Sequence, residues 1–320
     1  VNESAFIERL RALATHPGAR GLNDDAAVIE VGGQGLVLTH DMLVEGVHYL
    51  AQDPPETVAW KLVAVNLSDL AAKGARPLGV VLGFALAGDG AWDRAFADGL
   101  GKALSHFDTV LLGGDTVAMP AGAPRVLGLT ALGLAPEGGA PSRAGAQAGD
   151  GLYVSGTIGD AGAGLALLRA GEAQPVTLID AYRTPMPSLA LGQALSPLVS
   201  AMADVSDGLL IDAQRIARAS GCGIEVALEA VPLSPAFLAA PGDTPENRLF
   251  AATSGDDYRL LFTTNPADAE AIADAAAQCA VPITRIGQCI AGDGLRLSHN
   301  GAPVPLPPRL GYMHGDAPLS

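Results

Sequence analysis

Apolar residues recur along this chain in two rhythms. Runs of β-branched residues and Leu at 26–31, 36–39, 80–86, 109–112 and 126–134 predict buried strands, and helical spacing at 3–14, 54–73 and 91–106 predicts helices between them. Their alternation predicts a mixed α/β fold. The stretch PEGGAPSRAGAQAGDG at 136–151 has few apolar side chains and reads as a connection. A boundary is therefore expected between an N-terminal domain, residues 1–137, and a C-terminal domain, residues 138–320. Beyond it, LYVSG, a Gly-rich turn and GLALLRAG read as strand, loop and helix. Further helices are expected near 188–200 and 208–221, and strands at 223–228, 258–264 and 283–290. The final segment, GAPVPLPPRLGYMHGDAPLS, carries too much Pro and Gly for regular structure, yet leaves Tyr312 and His314 able to fold back onto a site.

With 320 residues, 49% of them hydrophobic, the chain can bury a core large enough for two domains. Its 34 acidic against 19 basic residues, net −15, argue against a nucleic-acid or anionic-membrane partner, since both favour clustered Lys and Arg. The opening VNESAFIERL contains two acidic residues and reads as an amphipathic helix, not a secretory signal. No apolar run approaches the roughly 18 residues of a membrane span. A cytoplasmic protein is expected. Cys222, Cys279 and Cys289 form no CxxC or Cys/His metal spacing, which fits a reducing compartment and buried or bystander thiols.

Candidate chemistry centres on Asp24, Asp25, Asp41, Asp69, Asp115, Asp204 and Asp207, which sit where short apolar runs give way to turn residues. Such runs deliver side chains to one edge of an α/β sheet. Carboxylates gathered there repel and take up protons unless a cation holds them ionised, and oxygen-only ligands select a hard cation such as Mg²⁺. Asp53-Pro54-Pro55-Glu56 reads as a capped helix start, and the helix that follows is apolar on almost every face. Within it Val58, Leu62, Val65 and Asp69 share one stripe, so Asp69 is either a metal ligand or a capping or ion-pairing residue beside Lys73.

Other segments stay open between two roles. Leu112-Gly113-Gly114-Asp115-Thr116 suits close approach to a phosphate or a plain tight turn. Asn23-Asp24-Asp25 suits an Asx turn equally well, and Ser206 or Asp207 suits the cap of the next helix. The stretch Gly156 to Gly164 lacks the Lys-Ser/Thr of a Walker loop, and Leu167 stands where a dinucleotide fingerprint needs glycine, so it reads as a strand-to-helix turn.

Taken together, the motifs resemble those of the thiamine-monophosphate kinases, within the wider group of aminoimidazole ribonucleotide synthetase. The resemblance is carried by Asn23-Asp24-Asp25-Ala26-Ala27-Val28, Thr39-His40-Asp41 with Glu45-Gly46-Val47-His48, Ala64 to Ala72, Gly113-Gly114-Asp115-Thr116, Asp204 to Leu209, and Gly255-Asp256-Asp257-Tyr258. It implies a two-domain α/β architecture in which the N-terminal sheet pairs with its twin in a homodimeric barrel and the C-terminal domain closes over the nucleotide. It also implies phosphoryl transfer from ATP to thiamine monophosphate. By the same resemblance, Asp25, Thr39, His40, Asp41, Asp69, Asp115, Asp204 and Asp207 bind several Mg²⁺ ions; Gly114, Asp115, Arg143 and Ser206 contact ATP; and His48, Asp256 and Tyr312 contact the substrate. No general base is expected.

The chain departs from the family pattern at Asn23, His40, Lys73 and Asp256, where Gly, Thr or Ser, Met and Glu are usual. Read from its own residues, His48 suits a core imidazole, Tyr312 a packing ring and Arg143 a solvated surface side chain. Rival readings are another enzyme of the same ATP-binding group, or a nucleotide or Mg²⁺ sensor without turnover. Selenophosphate synthetase is disfavoured because no cysteine precedes Cys222, and the hydrogenase maturation dehydratase because the chain ends Pro318-Leu319-Ser320.

Overall fold

The computed structural model describes residues 3–314, so Pro318-Leu319-Ser320 lie outside the described residues. Helix α1 (Glu3–Arg11) precedes β1 (Ala27–Val31), which turns through Gly32 and Gly33, both at positive φ, into β2 (Gln34–Val44). Then come α2 (Pro55–Ala72), β3 (Arg76–Leu86), α3 (Gly90–His106), β4 (Leu111–Ala118) and β5 (Val126–Leu134). The strands form a mixed sheet in the order β1-β2-β5-β3-β4. β3 and β4 are parallel, which is why a helix, α3, must carry the chain between them.

The second sheet is built after a stretch with neither helix nor strand between Leu134 and Gly151. Its elements are β6 (Gly151–Ser155), α4 (Asp160–Arg169), α5 (Val176–Arg183), α6 (Leu189–Leu195), β7 (Ala201–Asp204), α7 (Leu209–Ser220), β8 (Gly223–Ala227), α8 (Pro235–Ala239), α9 (Pro245–Thr253), β9 (Leu260–Thr264), α10 (Ala269–Gln278), β10 (Ile283–Ile290), β11 (Gly294–His299) and β12 (Ala302–Val304). Seven strands lie in the order β12-β11-β8-β10-β6-β9-β7. This is the mixed α/β, two-sheet architecture expected. β12 is a correction, since Pro and Gly had argued against regular structure there; it is a short strand at the sheet's edge, where missing donors are tolerated.

α2 decides how the two halves meet. Asp53, expected as its cap, instead accepts from Leu50 N at 2.8 Å and Arg183 Nε at 2.7 Å. Pro54 occupies the cap position, its fixed φ starting the helix without a side-chain bond. Val58, Leu62 and Leu67 are buried in the first core with Leu127 and Leu129 of β5. The last turn crosses to the other half, where Ala71 and Ala72 pack with Leu191, Leu195, Met202 and Phe262. Each fully buried Leu there contributes about 1.5–3 kcal/mol of transfer free energy.

Gly192 of α6 allows that approach, because a Cβ there would stand 2.0 Å from the carbonyl oxygen of Ala71. Cys222 and Cys289 are buried and Cys279 partly so, all three free. Among the described residues no helix is long and apolar enough to cross a membrane.

The α2–α6 contact makes a paired expectation. Gly192→Ala lowers stability by about 1–3 kcal/mol through overpacking. Gly101→Ala, in α3 with nothing within 4 Å of the added carbon, raises it by roughly 0.5–1 kcal/mol. Urea unfolding midpoints of the two variants check both signs.

Candidate active site

Strand alternation sorts the Thr39-His40-Asp41 motif between two faces. Thr39 and Asp41 face α2, where Thr39 Oγ1 donates to Asp69 Oδ2, and Asp41 N donates to Asn66 Oδ1 at 3.0 Å. The His40 ring is on the other face, with Nδ1 2.9 Å from Thr130 Oγ1 of β5. Asp204, at the end of β7, accepts from Ser68 Oγ of α2 at 2.5 Å. Asp25 arrives just ahead of β1. One carboxylate oxygen each from Asp25, Asp69 and Asp204 lies within 4.8 Å of the others.

Burial makes this gathering costly. It pushes Asp69 and Asp204 well above the ordinary carboxylate range, reinforced at Asp69 by Asp41, Asp204 and Asp25 and at Asp204 by Asp25. Burial, then Asp25 and Asp207, raise Asp41 from 3.8 to about 6. Asp24 is opposite: burial again favours its neutral form, but Lys73 and Arg20 outweigh it and hold the group at about 2. Lys73 Nζ pairs with Asp24 Oδ1 and lies 2.7 Å from Asp25 Oδ2, while Arg143 Nη2 pairs with Asp25 Oδ1. Lys73 therefore serves Asp24 and Asp25, not Asp69. Among the described residues, Asp204 Oδ1 is buried with no hydrogen-bond partner. An all-oxygen donor set with an unpartnered acceptor fits a hard divalent cation such as Mg²⁺.

The substrate-side candidates lie in the same cleft. His48 Nδ1 accepts from Val44 N at 3.0 Å, which assigns the ring proton to Nε2. Burial, then His314, lower its pKa, so the imidazole is neutral. Asp256 sits at φ 70, its oxygens accepting from Lys61 Nζ and Tyr258 Oη, each at 3.0 Å. Tyr312 meets His314 edge-on at 4.9 Å, and His314 lies 5.2 Å from His48. These groups line one cleft of 1740 Å³ together with Asp24, Asp25, Asp41, Asp69, Arg143, Asp204, Ser206 and Asp207.

Some expectations need correction. Within a single chain the structure does not bring the His40 side chain or Asp115 to the cluster. Gly113-Gly114-Asp115 is no turn but the middle of β4, and Asp115 shares a cross-strand row with Gly83, Gly128 and Met42. That row projects away from α2, three strands from Asp41, or about 14 Å. Neither Ser206 nor Asp207 caps α7; Gly208 holds the cap position and Asp212 Oδ2 accepts from Asp207 N and Gly208 N, each at 3.3 Å. Sequence reasoning passed over Asp212, Arg215, Lys61 and Ser68. Arg215 lies 2.7 Å from both Asp207 and Asp212, and the second pair is an i,i+3 helical spacing readable in IDAQR.

The raised carboxylates fix a pH dependence. A group whose folded pKa is elevated adds stability that is complete below its ordinary value and lost as pH climbs through the folded one. In EDTA the Tm falls from about pH 4 through 6 as Asp41 ionises, and further at higher pH from Asp69 and Asp204. Mg²⁺ flattens the decline. Asp204→Asn raises the Tm in EDTA near pH 8 by about 2–4 °C, the effect of roughly 1 kcal/mol, and loses the increment from Mg²⁺. Calorimetry in EDTA and in Mg²⁺ reads both; a flat profile in EDTA contradicts the assignment.

The family described as AIR synthase related protein matches over residues 23–135 with its N-terminal domain and 147–300 with its C-terminal domain. A thiamine-monophosphate kinase of Caulobacter vibrioides is 44% identical over 307 residues, 93% of this chain and 86% of the relative. The crystal structure of a thiamine-monophosphate kinase from Stenotrophomonas maltophilia superposes with TM-score 0.78 at 35% identity, covering 92% of this chain and 95% of that one. AaThiL complexed with AMPPCP and TMP gives TM-score 0.84 at 29% identity, with coverage of 98% and 97%. The motifs, the two sheets and these nearly full-length likenesses agree: the chain belongs to the thiamine-monophosphate kinase family.

Proposed function

We propose that the cleft transfers the γ-phosphoryl group of ATP onto thiamine monophosphate, giving thiamine diphosphate and ADP. The observation that supports this reading best is the single cleft holding the Asp25, Asp69 and Asp204 cluster together with His48, Asp256 and Tyr312. The related AaThiL structure holds AMPPCP and TMP. In this reading the cluster, with Thr39, Asp41 and Asp207, holds Mg²⁺, which when bound neutralises the meeting phosphates.

The chain's own residues bind and orient. The acceptor phosphate, with a second pKa of about 6, is already an anionic nucleophile near neutral pH, so no general base is required. Neutral His48 offers its Nε2 proton as a hydrogen-bond donor to that phosphate without giving it up. Arg143 and Ser206 contact the nucleotide, Arg143 adding fixed charge and forked donors. Asp256, steadied by Lys61 and Tyr258, faces the thiazolium, and Tyr312 packs on a substrate ring. Transfer is direct, with no phosphoenzyme. ATP supply and three free thiols suit a cytoplasmic setting.

Asp115 and Gly114 enter this scheme through a homodimer. β4 is an open edge on which Leu111, Leu112 and Val117 are 48%, 56% and 53% exposed, and such an edge invites a covering partner. Asp115 shares the face turned away from α2, so a second copy packed there brings it to the phosphates of its partner's site.

Two experiments test the proposal. Purified protein with ATP, Mg²⁺ and thiamine monophosphate yields thiamine diphosphate and ADP in equal amounts; tight ATP binding without turnover refutes the kinase reading, and a phosphoenzyme trapped from ATP alone refutes direct transfer. Asp69→Ala and Asp115→Ala are each expected to lose nearly all activity. Unfolded and refolded together, they recover about one quarter of it, because half the dimers are mixed and each mixed dimer has one intact site. No recovery indicates that Asp115 serves its own chain or none.

A further inference from the structure

Lys73 ends α2 with its side chain wholly inside the protein. Its ammonium meets three oxygens: Asp24 Oδ1, Asp25 Oδ2 at 2.7 Å and the carbonyl of Met202 at 3.2 Å. Arg20 occupies the other oxygen of Asp24 at 2.6 Å, and Arg143 the other oxygen of Asp25. Two carboxylates and a carbonyl around one positive charge are the donor types of a hard-cation site. Here the ammonium supplies that positive charge from within, hydrogen-bonded to Asp24 and Met202 and ion-paired with Asp25.

Asp69 and Asp204 contrast with this arrangement. Among the described residues no ion pair reaches either one, although both lie close to Asp25. The acidic seam thus has two limbs. One is neutralised permanently by protein cations, and the other is left to an added ion. We propose that Lys73 is a resident cation that takes the place of a divalent ion between Asp24 and Asp25, so that the nucleotide-free chain takes up divalent ions only on the Asp69–Asp204 side. This rests on reading the carboxylates as a divalent-metal site and specifies that only the gap between Asp24 and Asp25 is closed to metal, Asp25 still lying beside the ion taken up by Asp69 and Asp204. A single charge at Lys73 also repels an incoming divalent ion half as strongly as a second divalent ion in the same place would.

The experiment counts Mn²⁺ bound to the nucleotide-free full chain by electron paramagnetic resonance and follows the Tm against Mn²⁺ concentration. Wild type binds Mn²⁺, and Asp204→Asn weakens that binding by about tenfold or more. Lys73→Met and Lys73→Ala each lower the Tm in EDTA, recover it as Mn²⁺ rises, and bind one ion more per chain than wild type. Equal counts in wild type and both Lys73 variants overturn the inference, as does failure of both to fold at any Mn²⁺ concentration. A wild type that binds no Mn²⁺ instead overturns the underlying metal-site reading, which separates the two failures.

Discussion

Carboxylates buried within a few ångströms of one another cannot all stay ionised without cations among them, and the seam between the two sheets is organised around that constraint. α2 carries the solution. A helix buried along nearly all its length would normally be apolar throughout, yet this one holds Lys61, Asn66, Ser68 and Asp69, with Lys73 at its C-terminal cap. Each has a partner on a different element: Lys61 on Asp256, Asn66 on Asp41 N, Ser68 on Asp204, Asp69 on Thr39, and Lys73 on Asp24, Asp25 and Met202 O. Burying such groups unpaired would cost several kcal/mol in all. Paired, they fix the register between the halves more sharply than apolar packing does.

This arrangement ties structure to chemistry. The clustered acids and the pair His48 and Asp256 hang from one rigid helix, through Asp69 near its C-terminal end and Lys61 two turns earlier. Lys61 Nζ reaches both Asp256 and the carbonyl of His48, and lies 3.8 Å over the Tyr182 ring. Two residues far apart in sequence are thereby held relative to each other before a substrate arrives. Preorganisation of this kind is what a transfer between two phosphates needs most, since its difficulty is approach and alignment.

Much of this was legible in the chain. β5 lies where its apolar run predicts, α2 within one residue at each end, and of the singled-out aspartates Asp24, Asp25, Asp41, Asp69, Asp204 and Asp207 do line one cleft. Facing was the harder inference. Once Thr39-His40-Asp41 is taken as strand, period-two alternation alone sends His40 away from its neighbours, so that signal was present and motif matching overrode it. Lys73 was different. In AAKGA it reads as a helix-end lysine, and its burial depends on Asp24 and Asp25, almost fifty positions earlier, which no local pattern reveals. α10 escaped for a third reason: its buried stripe is Ile272, Ala275 and Ala276, too small a set to raise a helical period above an alanine background.

β4 shows why an apolar run and a buried strand are separate statements. The run into Gly113-Gly114-Asp115 was read as buried because it is apolar, but every residue of β4 is exposed in the single chain. Edge strands that stay bare are usually short, charged or interrupted by proline, and Leu111 to Ala118 contains one charge, no proline and seven paired residues. Its composition is that of a buried strand, although it lies at the sheet's edge. Asp115 alone breaks the apolar pattern, on the face shared with Met42 and Val117. A carboxylate held there against apolar neighbours is tolerable only where water or a cation reaches it, so the same packing that would bury the valines and leucines also demands a counter-charge beside Asp115.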